Sequence, residues 1–101
     1  MNQRDLFFRH VGQTSQSPLG LEVEYAEGIY LYDKAGKSYI DLMSGVSVSN
    51  IGHRHPKVVE AIKAQADKYL HLMVYGEYIQ TPQVQLAKLL SEVLPPKIES
   101  I

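Results

Sequence analysis

The sequence predicts an α+β fold, and three observations carry that prediction. A short helical pattern opens the chain, a run of period-two alternation broken by turn residues follows, and the second half changes to a helical period. Together they predict an N-terminal helix, a three-stranded antiparallel meander and two amphipathic helices.

The first dozen residues read as the helix, with Leu6 and Phe7, or Leu6 and His10, sharing a face. Thr14-Ser-Gln-Ser-Pro18 is a polar connector ended by proline. From Leu21 the period becomes two: Leu21, Val23 and Tyr25 alternate with Glu22, Glu24 and Ala26, as in a strand with one wet face. Glu27-Gly28 is a turn, and Ile29-Tyr-Leu-Tyr32 is a second strand of branched and aromatic residues. Asp33-Lys-Ala-Gly36-Lys is another turn, with glycine where a positive φ is needed. Ser38-Tyr-Ile-Asp-Leu-Met43 completes the meander as the third strand. Pro56 suits a first helical position, because its missing N–H costs nothing there. Val58, Val59, Ile62, Ala66, Tyr69 and Leu70 then form an apolar stripe opposite Lys57, Glu60, Lys63 and Asp67. Thr81-Pro82 repeats a helix-start signal, with Thr81 as the cap. Leu86, Leu89, Leu90, Val93 and Leu94 make the second stripe, and Pro95-Pro96 stops it.

Three segments follow: residues 1–20 as a helical arm and connector, 21–55 as meander and loop, and 56–101 as a two-helix segment. Net charge is −1, which gives no electrostatic reason for a nucleic acid or an anionic membrane as partner. The chain has no cysteine, so thiolate metal sites are excluded and a cytoplasmic location is expected. Charges flank the very short apolar core of the first ten residues, which excludes a signal peptide or a membrane span as their reading. Val46, Val48, Ile51, Leu72, Met73, Val74, Tyr75 and Ile79 lie outside the predicted elements. Loops this apolar are covered by another domain or subunit, so the chain reads as a piece of something larger.

The stretch from Ser44 to Pro56 concentrates the chemical candidates. Gly45 and Gly52 bracket an alternating apolar run, and His53-x-His55 follows. Two imidazoles could ligate a metal, but no third ligand lies near in sequence. The alternative is structural: one imidazole satisfies backbone groups at the helix start and the other is solvated. Asp33 and Asp41 could be paired acid–base carboxylates, yet Asp at strand ends commonly binds turn amides. The seven tyrosines are explained mostly by packing, Tyr75 and Tyr78 least readily. No P-loop or dinucleotide-binding glycine motif is present, and Ser44, Ser47 and Ser49 lack an adjacent base.

Three strings in register resemble the opening of the class III pyridoxal-phosphate aminotransferases. They are Gly28-Ile-Tyr-Leu-Tyr-Asp33, Gly36-Lys-Ser-Tyr-Ile-Asp-Leu-Met-Ser-Gly45 and Asn50-Ile-Gly-His-Arg-His-Pro56. The helix Lys57 to Leu70 and the run Gln83-Val-Gln-Leu-Ala-Lys-Leu-Leu90 follow in the family's order, so the resemblance runs from about Pro18 onward. It implies the N-terminal segment of a fold-type I transferase, with pyridoxal 5'-phosphate as cofactor and ping-pong transfer of an amino group to a keto acid.

The family's phosphate-binding loop, its Asp at the pyridine nitrogen and its Schiff-base Lys come later in the chain and have no match here. The resemblance therefore implies that this segment holds no cofactor, supplies no catalytic or metal-ligating residue and is inactive alone. What it implies instead is a wall of the substrate site. Ser44, Gly45 and Val46 match positions that approach the substrate, and Gln16 lies near another. Ornithine-type members carry tyrosine at the position of Val46 and often another near Gln16, and both are absent here. Leu72 to Ile79 resembles a stretch used in family homodimers. Two other readings stay open: a free-standing α+β interaction domain, and a catalytically silent relative of the enzymes.

Overall fold

The computed structural model describes residues 1–98 and 100–101. It divides into two compact units, Met1–Ala64 and Gln65–Ile101.

The first unit opens with α1, Gln3–His10. Its start is fixed by a capping box, in which Asn2 Oδ1 accepts from the Asp5 amide at 2.9 Å and Asp5 Oδ2 accepts from the Asn2 amide at 3.2 Å. The helix ends at a cap on Val11, with Arg9 and His10 placed at the negative end of the helix dipole. A connector leads to β1 (Val23–Glu27), β2 (Tyr30–Asp33) and β3 (Ser38–Ile40). The sheet has the order β1-β2-β3 and both pairings are antiparallel, so the meander read from the sequence is present.

Glu27 pairs with Tyr30, which leaves Gly28 and Ile29 as the hairpin tip, and Gly28 has φ 58°. A two-residue tip of this kind places glycine first because the connection needs a positive φ there. A register shift between Val23 and Tyr25 brings the Tyr25 ring onto Tyr32, with centroids 4.5 Å apart and planes 7° apart. The second turn is organised by Asp33, whose Oδ1 accepts from the Ala35 and Lys37 amides at 2.9 Å. Gly36 there has φ 80°, as its place in the sequence predicts.

β3 is shorter than the predicted strand. The Asp41 amide still donates to Ile29 O at 2.8 Å, but the chain then leaves the sheet. It enters α2, Ser44–Ser47, a single left-handed turn. α3 follows at Pro56–Ala66 and begins at the proline, as expected. It stops four residues before Leu70, the end read from the stripe.

In the second unit, the Lys68 and Tyr69 amides donate to Gln65 O, and the Gln65 side-chain amide donates to Tyr69 O at 3.1 Å. The connector to α4 has no regular structure between His71 and Val74. The last helix, α4, is Thr81–Val93. Its cap is Gln80, without a side-chain cap bond, so Thr81 is the first helical residue and not the cap. Gln80 instead turns inward at 8% exposure and donates to Met73 O at 2.8 Å. Among the described residues it is the only one classed as buried, and no apolar side chain is fully enclosed.

Candidate functional site

The loop from Asp41 to His53 leads from β3 through α2 towards α3. Both ends are fastened to the same hairpin tip. The Asp41 amide donates to Ile29 O, while His53 exchanges two backbone hydrogen bonds with Gly28, at 2.8 and 3.0 Å. Close ends make residues 41–53 an Ω-loop, a class of compact surface loop that is frequently functional. Gly52 permits this closure. Its φ is 85°, and a Cβ there would stand 3.1 Å from Gly28 O.

A side-chain pair closes the loop a second time. His53 Nε2 lies 2.6 Å from Asp41 Oδ2, and Asp41 Oδ1 accepts from the Ser44 amide at 3.0 Å. The two side chains are 20% and 11% exposed, so water competes weakly for them. The His53 hydrogen bond, followed by the Ser44 amide, holds the Asp41 carboxyl below its ordinary 3.8, against the opposing effect of burial. An ionised carboxylate only accepts, so the imidazole Nε2 carries the hydrogen.

Inside this frame the backbone is strained. Ser44, Gly45, Val46 and Ser47 have φ of 49°, 62°, 63° and 63°. Left-handed geometry costs a non-glycine residue roughly 1–2 kcal/mol, and a β-branched residue such as Val46 is a pronounced outlier there. The turn is closed by Val46 and Ser47 amides to Met43 O, and by Val48 and Ser49 amides to Ser44 O, at 2.8–3.1 Å. Val46 is 88% exposed and Val48 76%. A strained turn thus presents apolar side chains outward, an arrangement that surrounding structure must over-determine.

The predicted site residues fall into two groups. Ser44, Gly45 and Val46 share this turn. Gln16 stands exposed in the bent connector between α1 and β1, and makes no hydrogen bond to the turn among the described residues. The Asp41–His53 pair was not anticipated. His53 is half-buried and engaged rather than solvated, whereas His55 behaves as the structural reading expects, its Nδ1 accepting from the Lys57 amide at 3.2 Å. The signal available was the placement of an Asp at a strand end and a His after a glycine, on either side of an apolar loop.

Asp33, the other carboxylate considered, accepts from two turn amides and from the Tyr39 hydroxyl at 3.0 Å. Its carboxyl is also held low, chiefly by the Lys37 amide. Each Asp therefore serves its own turn. No group of three His, Asp or Glu side chains suited to a metal is found among the described residues. A separate apolar groove of about 440 Å³ lies beneath α1, lined by Phe7, Phe8, Leu19, Leu21, Val23 and Leu31. Arg4 at its edge donates to Gly20 O at 2.8 Å.

The family model for aminotransferase class-III matches residues 11–101, and the chain belongs to that family. It is 35% identical over 102 residues to the acetylornithine aminotransferase of Methanopyrus kandleri, covering 100% of this chain and 25% of that protein. It is 48% identical over 67 residues to the acetylornithine aminotransferase of Methanocaldococcus jannaschii, covering 66% of this chain and 16% of the relative.

Among solved structures it resembles the taurine:2-oxoglutarate aminotransferase of Bifidobacterium kashiwanohense, in complex with PLP and glutamate. The TM-score is 0.77 at 36% identity, over 90% of this chain and 20% of that one. The chain thus spans a quarter or less of the length of these relatives. No helix among the described residues is long and apolar enough to cross a membrane.

Proposed function

We propose that this chain is the N-terminal part of an aminotransferase that moves an amino group from an amine or amino acid to a keto acid. The observation that carries the reading is the family match over residues 11–101, set against relatives four or more times longer. The exposed apolar surface supports it. Leu70, Tyr75, Ile79 and Val46 are 83–95% exposed. The rest of the polypeptide and a second copy of it are the natural covers, with Leu72 to Ile79 at the dimer contact and Ser44, Gly45 and Val46 on the substrate wall. Gln16 joins that wall only through the connector. Such an enzyme works in the cytoplasm.

Pyridoxal phosphate is the cofactor that family membership and the solved relative point to. The residues described here do not fit it as a holding site. Lys57, Lys63 and Lys68 are exposed on α3 or just beyond it, and none of them lines the apolar groove beneath α1. Pro56 and Pro82 take the place of amide donors in the first turns of α3 and α4, where a phosphate would be received. Holding the cofactor and transferring protons therefore fall to residues beyond this chain. The chain's own part is shape: an apolar, preorganised surface that excludes water and selects the donor.

The test compares the purified 101-residue chain with the full-length polypeptide. Each is supplied with pyridoxal phosphate, an amino donor and 2-oxoglutarate. The full-length protein is expected to form glutamate and the chain alone to form none. Glutamate formation by the isolated chain, or a full-length protein without activity on any amino donor, would overturn the reading.

A further inference from the structure

We propose that Asp41 and His53 are positioning residues, whose pairing holds the left-handed turn α2 in the form that presents Ser44, Gly45 and Val46. This deepens the proposal that the turn walls a substrate pocket, and rests on it.

The turn does not select its own hand. Its four closing hydrogen bonds join each amide to a carbonyl three to five residues earlier. Bonds of that span close a right-handed turn as well, so they do not account for the positive φ of Ser44, Val46 and Ser47. Nor does residue preference, since valine disfavours this region more than most.

The selection comes from the flanks. Asp41 is tied to Ile29 and His53 to Gly28, so the segment between them must leave and return at one hairpin tip. The same Asp41 carboxylate then binds His53 Nε2 on one oxygen and the Ser44 amide on the other. That second bond aims the first amide of the turn back at the strand end. Without the imidazole, the carboxylate loses the partner on its second oxygen and this direction is held less firmly.

The alternative use of an Asp–His pair, as a base for a nearby hydroxyl, lacks its nucleophile. Among the described residues no serine hydroxyl hydrogen-bonds to His53. A role in holding the backbone uses every bond that the pair makes.

The experiment uses the full-length, cofactor-loaded protein. His53→Gln keeps an N–H close to where imidazole Nε2 stands. His53→Asn keeps an amide that falls short of Asp41, and His53→Ala removes the group. The expected result is a KM for the amino donor raised about tenfold in His53→Ala and His53→Asn, with kcat changed less than about threefold and most of the loss restored in His53→Gln. A crystal structure of the His53→Asn protein is expected to show Val46 outside the left-handed region.

An unmoved turn with an unchanged donor KM in His53→Asn would overturn the proposal. So would equal KM values in the Gln and Asn variants, a comparison that stands even if His53→Ala does not fold. Val46→Ala tests the underlying reading separately. An unaltered donor KM there removes the substrate wall, while a displaced turn in His53→Asn still supports the hold of Asp41 and His53 on the backbone.

Discussion

Gly52 and Asp41 show how much of the loop rests on single atoms. A methyl group on Gly52 would meet a backbone oxygen, which cannot rotate away, at a φ that side chains rarely adopt. Gly52→Ala is expected to cost about 1–3 kcal/mol and to loosen the Gly28–His53 bridge. Gly12→Ala is the control, since nothing lies within 4 Å and no positive φ is required. Equal melting temperatures for the two variants would contradict this account of Gly52.

Acid should act through Asp41. Its folded-state pKa is depressed, so its contribution to stability is present above the unfolded value of about 3.8 and is lost as pH falls through the lower folded value. The measurement is the carboxyl carbon shift of Asp41 followed into acid; a midpoint at or above 3.8 would refute the attribution. The side-chain types involved were visible in the sequence, but their partnership was not. Asp41 and His53 are separated by 12 positions, and no local rule pairs them.

The elements divide by how local their causes are. The meander was legible because alternation, two glycine turns and Asp33 all act within a few residues. The helix start at Pro56 was legible for the same reason. Several boundaries were not: β1 starts at Val23 rather than Leu21, and β2 runs one residue later than read, over Tyr30–Asp33. β3 ends early because Asp41 is drawn off to the loop. α3 ends early although its apolar stripe continues, with the Gln65 side chain turning back on the Tyr69 carbonyl. α4 starts one residue sooner than a threonine cap implies, with Gln80 at the cap and its side chain bonded to Met73 O instead.

The left-handed α2 was least legible of all, since Val46 argues against it and none of its closing hydrogen bonds requires it. For α1 the cause is fully local, which makes it a clean test. Asn2→Ala removes the acceptor of the capping box and should cost about 1 kcal/mol of helix stability. Faster amide exchange across residues 5–8 reads it, and unchanged exchange would mean that the helix is held by something else.

At the scale of the molecule the decisive property is apolar surface without a cover. The excess of apolar loop was readable from composition and position, and it is the surface that the proposed remainder of the polypeptide would cover. What the sequence did not reveal is its extent, since even the stripes of α3 and α4 leave Ile62, Leu86, Leu89 and Val93 more than half exposed. Ile79, at 95% exposure, separates the proposed covers. Ile79→Asp should make the isolated chain more soluble and less able to bind a hydrophobic dye, because it removes surface with no role there. In the full-length protein the same change should raise the dimer dissociation constant by at least about tenfold, read by sedimentation. A full-length Ile79→Asp dimer as tight as the parent would place the contact elsewhere.

The fastening of both loop ends to one hairpin tip also has a consequence in time. During synthesis the tip at Gly28 and Ile29 is complete well before its second partner exists. The imidazole is added 12 residues after the carboxylate it will bind. At about 5–20 residues per second the nascent segment therefore spends on the order of one second with its carboxylate unpaired. In that interval Val46 is free to take the right-handed form that its side chain prefers. On the proposal that Asp41 and His53 select the hand of α2, that choice falls late, when His53 emerges after the strand to which it returns.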